Sequence, residues 1–568
     1  MVNSATTLTP DTVQAVSGVG AVTERTVHSS AVDYDTWLAE RADQADPVAR
    51  MAAHSAVARG GRGDYSRWLR HVWPAAGCSE PVRLAGRVRS VMVDTATGEI
   101  VDEGREVSTG EMPDGVIYKA CGNRRASVCP SCAEVYRADA YQLVLAGLRG
   151  GKGVPETVAG HPAVFMTLTA PGFGIVHTQR TTKDGKPAPC RARRHPDPCP
   201  HGVDQRCHVK HQDGDQLLGQ PLCPDCYDYD HHVVWNVYAA ELWRRTTITT
   251  NRLLRRWARD HGHAIRIVEP VTGKSRGWWV PVRISFGKVA EFQRRGVVHF
   301  HVLARFDGVD PNDPDVVVRP PAWANAFLLG WLLRTAVEAT RFQTRGLVHL
   351  DQRGRKLVDQ PDGWLISWGS QVDIRPVRVR GDQALTDERV AAEVDHHGRP
   401  RMLSKNAVAG YLAKYATKAT EVTGHTSRRL TPSTVGYYTT NTHPGRLIAA
   451  CWRLGQRGLQ TTSQWKASPY YRLRRWAHML GYGGHFFTKS RRYSTTFRAL
   501  RQARIDYRRA HHITAEHREE GRVLAVIGEL VYAGSGWHTT GDALLANTAA
   551  ALARERRQVA REEITCTG

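Results

Sequence analysis

The apolar segment at residues 297–303, Val-Val-His-Phe-His-Val-Leu, constrains the fold more than any other stretch of the chain. Its β-branched and aromatic residues are typical of a buried strand. Because the side chains of a strand alternate between two faces, His299 and His301 share one face and Phe300 points into a core on the other. The sequence therefore predicts a covered sheet that carries a pair of imidazoles.

A third metal ligand is present just before this strand. Glu291 lies eight residues before His299, and the sequence Arg294-Arg295-Gly296 between them is typical of a turn. A hairpin at this turn brings the carboxylate beside the histidines. Two imidazoles and a carboxylate suit catalytic Mn or Mg better than structural zinc. The alternative is that the histidines line a polar groove.

Two tyrosines are predicted to share one face of a downstream helix. Tyr411 and Tyr415 are four residues apart, Lys418 lies on the same face, Lys414 lies beside it, and Ser404 is a suitable N-cap. A phenol with a pKa near 10 is a poor nucleophile at neutral pH, but a metal on a phosphodiester and a nearby lysine stabilise the developing charge. Attack leaves a phosphotyrosine and a free 3′-hydroxyl. The alternative is that the tyrosines are core residues of an amphipathic helix.

The cysteines are clustered in a way that favours metal binding. Of eleven cysteines, nine lie between Cys78 and Cys226, and such clustering in a cytoplasmic chain indicates metal sites rather than disulfides. Four thiolates are predicted to hold a structural zinc ion. These are Cys78, Cys121, Cys129 and Cys132. The alternative is that Cys78 is free and that a histidine or no metal completes this set.

A second structural zinc site is predicted around the knuckle formed by Cys223 and Cys226, with Cys199 and Cys207 as its partners. Other residues compete for these two partner positions, and the choice between them stays open. The competitors are Cys190, His195, His201 and His208.

The charge of the chain favours a polyanionic partner. Lys and Arg number 78 against 55 Asp and Glu, and the net charge is +23. Several arginines lie among aromatic residues or zinc ligands and are candidates for DNA contact, although each is equally compatible with a solvated surface. They are Arg124, Arg125, Arg474, Arg475, Arg491 and Arg492. The sequence shows neither a signal peptide nor an apolar run long enough for a membrane span, so we expect a cytoplasmic protein without a membrane partner.

Three motifs occur in an order that resembles HUH-type rolling-circle replication initiators, most closely those of actinobacterial plasmids and integrative elements. They are the strand Phe165-Met-Thr-Leu-Thr169, the His299-Phe-His301 strand and the tyrosine helix. The surrounding segments 121–127, 221–229 and 369–376 agree, and the resemblance covers roughly residues 75–500. It implies a sheet that binds single-stranded DNA, a metal at the histidines, strand transfer through a helix tyrosine, and a host helicase and polymerase as partners on single- and double-stranded origin DNA.

The resemblance also ranks the tyrosines and the rival functions. Tyr415 is the expected nucleophile because Lys418 follows it as in the plasmid pattern, and Tyr411 is the second candidate. Many plasmid relatives have Glu where Tyr411 stands, so termination by a second tyrosine or by water stays open. A conjugative relaxase usually places its tyrosine before the histidine strand, which is the reverse of the order here. A non-catalytic zinc-dependent DNA-binding regulator would leave the histidines and tyrosines unused.

The predicted architecture is an α+β fold on an antiparallel sheet, with an HUH endonuclease domain, zinc-knuckle insertions and a basic, mostly helical C-terminal region. The predicted limits divide the chain into four parts. They are an N-terminal region of unknown role at 1–74, a zinc-ribbon-like module at 75–155, the nicking domain at 156–425 with a Cys- and His-rich insertion at 174–232, and the C-terminal region at 426–568.

Overall fold

A computed structural model describes most of the chain after residue 46 and shows the predicted mixed α+β architecture with antiparallel sheets. Most of the predicted N-terminal region, residues 1–46, lies outside the described residues. The described ranges are 47–182, 184–272, 274–350, 356–360, 362–377, 404–418, 420–423, 428–456, 462–468, 470–510 and 522–566. Among them, no helix combines the length and apolar character needed to cross a membrane.

The α-helices are numbered in chain order. They are α1 Pro47–Gly60, α2 Tyr65–Val72, α3 Pro130–Arg149, α4 Tyr229–Asp260, α5 Ala326–Ala339, α6 Lys405–Tyr415, α7 His443–Leu454, α8 Thr462–Ala467, α9 Arg472–Arg475, α10 Phe497–Ala510 and α11 Thr540–Cys566.

The strands are numbered in the same way. They are β1 Val82–Asp94, β2 Ile100–Ser108, β3 Ile117–Lys119, β4 Ala163–Leu168, β5 Arg180–Thr181, β6 Pro187–Ala188, β7 Ile265–Val268, β8 Ser275–Trp279, β9 Val282–Phe292, β10 Val298–Val309, β11 Val317–Val318, β12 Arg341–Gln343, β13 Leu347–Leu350, β14 Lys356–Gln360, β15 Leu365–Ser367, β16 Val372–Val377, β17 Phe487–Lys489 and β18 Arg522–Ser535.

The central sheet has the strand order β16-β4-β10-β9-β17, with β11 paired to the end of β10, and all its pairs are antiparallel. Strands β9 and β10 form the predicted hairpin. Gly296 in its turn has φ +84°, and a Cβ there would lie 2.8 Å from Leu480 Cδ1, so the turn requires glycine. The buried Asn236 of α4 fixes the hairpin, because its amide bonds Gly296 O and the Val298 N–H.

Both faces of the central sheet are covered. One face packs on α4 and α5, and Phe300 is buried there as predicted. The opposite face, which carries Phe165, Val289 and Leu303, packs on α3 and α6. Odd-numbered residues of β10 therefore face α6, and this alternation positions the functional site.

Among its described residues, the C-terminal region contains strands β17 and β18 as well as its predicted helices. Strand β17 joins the central sheet, and β18 pairs along the whole of β1, from Val82 opposite Ser535 to Asp94 opposite Arg522. The apolar run in β18 lacks strict alternation, so its sequence alone does not distinguish a strand from a helix. The pairing of β1 with β18 joins two segments that the predicted domain limits place in different parts of the chain. Those limits stay a prediction.

Candidate functional site

The two histidines and the carboxylate converge on one point of the central sheet. Glu291 of β9 lies directly opposite His299 of β10 in the antiparallel register. The Glu291 Oε2 atom lies 2.9 Å from His299 Nε2 and 3.2 Å from His301 Nε2. The hairpin therefore gives three potential metal ligands within 4.8 Å of one another.

Strand β4 orients one of these histidines. Thr167 is the cross-strand partner of His301, and its Oγ1 atom lies 3.1 Å from His301 Nδ1. A proton held at Nδ1 by this contact leaves the Nε2 lone pair for a metal. The motif Phe165-Met-Thr-Leu-Thr169 thus supports the histidine strand from the neighbouring position in the sheet.

The electrostatics of the triad suit a cation. Burial by itself would raise the pKa of Glu291, but the hydrogen bonds with His299 and His301 outweigh it and bring that pKa to about 2. Burial lowers the pKa of His301, which favours the neutral imidazole that binds metals. Together these groups place a carboxylate and two imidazoles at one point.

Helix α6 places both tyrosines over this triad. Ser404 caps the helix by accepting a hydrogen bond from Ala407 N at 3.1 Å, and Leu412 anchors the helix in the core against α3 and the sheet. The Tyr411 Oη atom lies 3.5 Å from His301 Nε2. The ring centroids of His301 and Tyr415 are 5.6 Å apart. Imidazoles and phenols therefore meet at one place.

Contacts distinguish the two phenols. The Lys418 Nζ atom lies 4.5 Å from the Tyr415 ring centroid and 3.7 Å from Glu291 Oε1, while Lys414 Nζ lies 5.8 Å from the same ring. Burial and the negative charge of Glu291 raise the pKa of both tyrosines. Lys418 is the cation beside the Tyr415 ring, where it can stabilise the Tyr415 anion.

The four cysteines predicted for the first zinc site lie together. The Sγ atoms of Cys121 and Cys132 are 3.7 Å apart, and those of Cys78 and Cys129 are 3.9 Å apart. Backbone N–H groups of Ser79, Cys121 and Asn123 donate to sulfur atoms of this cluster. The ten cysteines with described side chains are all free thiols.

The insertion does not group its cysteines as predicted. Cys199, Cys223 and Cys226 lie together, but the fourth member of their cluster is His201 rather than Cys207. The backbone of Cys207 pairs with Arg191 beside Cys190, which carries Cys207 into a separate cluster. Its members are His177, Cys190, Cys207 and His211. The Nδ1 atom of His211 lies 2.5 Å from Asp215 Oδ2, an arrangement typical of metal-binding histidines.

Comparison with known proteins identifies the family of the chain. The family model described as RepSA, replication initiator protein of pSAM2, matches residues 64–551. A replication initiator protein from Streptomyces ambofaciens is 38% identical over 507 residues, which are 88% of this chain and 93% of the relative. The chain belongs to this family of replication initiators. No solved structure matches it.

In the initiator, Arg124, one of the candidates for DNA contact, has partners within the protein. Its Nη1 atom donates to the carbonyl oxygens of Ala416 at 3.0 Å and Lys418 at 2.7 Å, and its guanidinium lies 3.7 Å from the Phe486 ring centroid. Burial lowers the pKa of Arg124 to about 10. Arg124 therefore links the first cysteine cluster to the carbonyls that directly follow the tyrosine helix. Arg125 contacts Asn123.

The other arginines predicted for DNA contact also have protein partners in the initiator. Arg474 lies 4.1 Å from the Trp452 ring centroid, and Arg475 lies 5.5 Å from that of Trp476. Arg491 and Arg492 both pair with Asp315. Their role in DNA binding stays a prediction.

Proposed function

We propose that this replication initiator starts rolling-circle replication by nicking one strand at a plasmid origin and becoming linked to the 5′ phosphate through Tyr415. The convergence of Glu291, His299 and His301 with the two tyrosines of α6 carries the proposal. Taken separately, the histidines could line a polar groove and the tyrosines could be core residues. Together on one face of the central sheet, these side chains provide the metal ligands and the nucleophile of a metal-dependent strand-transfer reaction.

The residues present fit a catalytic divalent cation. His299 and His301 would hold it through Nε2, and Glu291 through a carboxylate oxygen, in a ligand set suited to Mn or Mg. When bound, such a cation polarises a phosphoryl oxygen and stabilises the charge of the transition state. Thr167 keeps His301 oriented for this role.

In the proposed reaction the Tyr415 Oη atom attacks the scissile phosphorus. The new bond joins the tyrosine oxygen to phosphorus, and the bond from phosphorus to the 3′-oxygen breaks. The phenol gives up one proton to solvent and the released 3′-oxygen gains one, so the step conserves atoms and charge. Because one phosphodiester replaces another, a later hydroxyl can reverse the step and rejoin the strand.

The lysines and Tyr411 have supporting roles in this proposal. Lys418, which contacts both the Tyr415 ring and Glu291, stabilises the phenolate and the transferred phosphate, and Lys414 adds charge from the adjacent position. Tyr411 is the candidate for a second transfer that ends the cycle, with water as the alternative.

The proposed partners follow from family membership and charge. The protein binds single- and double-stranded origin DNA, the free 3′ end primes a host polymerase, and a host helicase takes part by family analogy.

Incubation with supercoiled origin DNA and Mn or Mg distinguishes a nicking initiator from a non-catalytic DNA-binding regulator. A covalent nicked product supports the initiator over a DNA-binding regulator, whereas sequence-specific binding without cleavage supports the regulator. The order of the motifs disfavours a conjugative relaxase.

The three cysteine and histidine clusters are proposed as structural zinc sites, one more than the sequence predicted. We expect three zinc ions per chain in protein purified without chelators, measured by elemental mass spectrometry. Cys223→Ser should lower the content to about two, because one thiolate of a four-ligand site is lost. The control Cys451→Ser, at a buried cysteine of α7 outside the clusters, should leave three. An unchanged content in Cys223→Ser would refute that site.

Arg124→Ala should slow nicking because it displaces the tyrosines, and not because it weakens the affinity for DNA. The loss of two charged hydrogen bonds to helix-end carbonyls should lower the free energy of unfolding by about 2 kcal/mol. The displaced tyrosines should slow nicking by roughly 10- to 100-fold. Denaturant titration and a nicking assay measure the two effects, with the exposed Arg498→Ala as control. Weakened DNA binding with normal stability would instead indicate a phosphate contact.

A further inference from the structure

A cleft of about 510 Å³ opens at the end of the central sheet beside the metal-ligand triad. Its lining combines loops that extend three strands of the sheet with residues of the Cys- and His-rich insertion. We call it the hairpin cleft and define it by Thr169, His177, Gly219, Gln293, Arg295 and Gln371.

The hairpin cleft continues the surface that carries the candidate catalytic groups. Gln293 lies two residues beyond Glu291, and Thr169 lies two residues beyond Thr167. Strand-like hydrogen bonds persist at both positions, from Gln293 N to Val297 O and from Gly369 N to Thr169 O. Because alternate residues share a face and two residues span about 7 Å, the cleft begins about one nucleotide from the triad.

An arginine that has no acidic partner among the described residues lines the cleft. Arg295 donates from Nε to Gln293 Oε1 at 3.0 Å, from Nη1 to Pro171 O at 3.1 Å and from Nη2 to Ala170 O at 3.3 Å. These acceptors are all neutral, and no ion pair of Arg295 occurs in the part of the chain that the structure describes. A partly buried cation without a counter-charge favours an anionic ligand.

The side-chain amides of Gln293 and Gln371 also line the cleft and can form hydrogen bonds with a ligand. Since Arg295 occupies the Gln293 oxygen, the Gln293 NH₂ group is the end left to donate to a ligand. Gln371 is exposed, and its backbone oxygen accepts from the Thr169 hydroxyl at 2.9 Å, which fixes the loop that presents its side chain. Glutamine amides match the donor and acceptor edges of nucleobases.

We propose that the hairpin cleft binds one nucleotide of single-stranded DNA next to the scissile phosphate and reads its base through Gln293 and Gln371. Arg295 supplies the positive charge for the backbone phosphate. This assignment deepens the proposed nicking function and rests on it, because the location of the scissile phosphate comes from the triad.

The insertion builds one wall of this cleft. Arg294 in the hairpin turn bonds Asp213 Oδ1 at 2.6 Å and Asp215 O at 3.2 Å. Gly219 has φ +85°, and a Cβ there would lie 2.6 Å from Arg295 N, so only glycine permits this close approach. His177 belongs both to the cleft and to a cysteine-histidine cluster, and that cluster therefore holds the wall in place.

The test uses the full-length protein carrying Tyr415→Phe, so that DNA is bound without being cut. The probe is a single-stranded DNA library with a randomised centre, and bound molecules are sequenced to obtain the preference at each position. Gln371→Ala, at an exposed side chain, should reduce discrimination at one position on the order of 10-fold and leave the other positions unchanged. Gln293→Ala should affect the same position. Thermal unfolding checks that both variants remain folded.

The matched control is Gln502→Ala, which removes a surface amide on α10 and should preserve every preference. Unchanged preferences in both cleft variants, or a parent protein without base preference, would overturn the assignment. Nicking by the protein with Tyr415 intact is measured separately on the selected sequence. Loss of base reading in the cleft variants together with absent nicking would keep the nucleotide site and reject the proposed reaction.

Discussion

Tyr415→Phe is expected to abolish covalent attachment to DNA and to slow nicking by at least about 1000-fold. The substitution removes only the attacking oxygen, and the ring can keep its packing under Lys418 and against His301. Binding of single-stranded origin DNA should persist, because the triad and the basic surface are unchanged. Nicking is measured on supercoiled origin plasmid with Mn or Mg, and attachment by the protease sensitivity of the nicked product.

Tyr411→Phe is the matched control for this substitution. It removes the same atom one helical turn earlier, and it should retain the first cut while impairing rejoining, if Tyr411 performs the second transfer. The reverse pattern, with the first cut lost in Tyr411→Phe and kept in Tyr415→Phe, would exchange the roles assigned to the two phenols.

Glu291→Gln is expected to slow nicking by about 100- to 1000-fold. The change removes the carboxylate charge that opposes a divalent cation, while His299 and His301 keep their positions on β10. The apparent affinity for Mn should fall, so the nicking rate should need a higher Mn concentration to saturate. Titration of the nicking rate with Mn and calorimetry of Mn binding measure the two effects.

The control for this prediction is Glu241→Gln on the surface of α4, where the carboxylate pairs with Arg244 and Arg245 away from the triad. This variant should have the same dependence on Mn as the unaltered protein. A Glu291→Gln protein with an unchanged Mn response would show that the three side chains do not hold the catalytic cation.

The sequence was informative where local pattern determines geometry. The alternation around His299 and His301 places both imidazoles on one face, and the four-residue spacing places Tyr411 and Tyr415 on one helix face, without any long-range information. The turn at Gly296 then brings Glu291 opposite His299. For these reasons the triad and the tyrosine helix could be predicted before the fold was known.

Local pattern was insufficient in the insertion, where many potential ligands lie within a short segment. His201 was among the competitors, but His177 and His211 were missed. The four-residue spacing between Cys207 and His211 was a usable signal, whereas His177 joins its cluster from a position thirty residues before Cys207. The backbone pairing of Arg191 with Cys207 brings Cys207 beside Cys190 and away from Cys199, and this pairing is not encoded in the local pattern.

Long-range contacts are the features that local sequence could not predict. Arg124 reaches carbonyls almost three hundred residues away, and nothing in its own segment distinguishes such an arginine from one that contacts phosphate. Strand β18 owes its conformation to β1, more than four hundred residues earlier. Such contacts depend on the tertiary structure, and local propensity does not encode them.

Mass spectrometry of the trapped protein–DNA adduct tests the central claim most directly. The protein is incubated with single-stranded origin DNA and Mn, the adduct is digested with protease and nuclease, and the peptides are sequenced. The residual nucleotide should be attached to Tyr415 through its 5′ phosphate, and chelation of the metal should prevent its formation. Attachment at any residue outside α6, or an adduct that forms equally well without a divalent cation, would contradict the account.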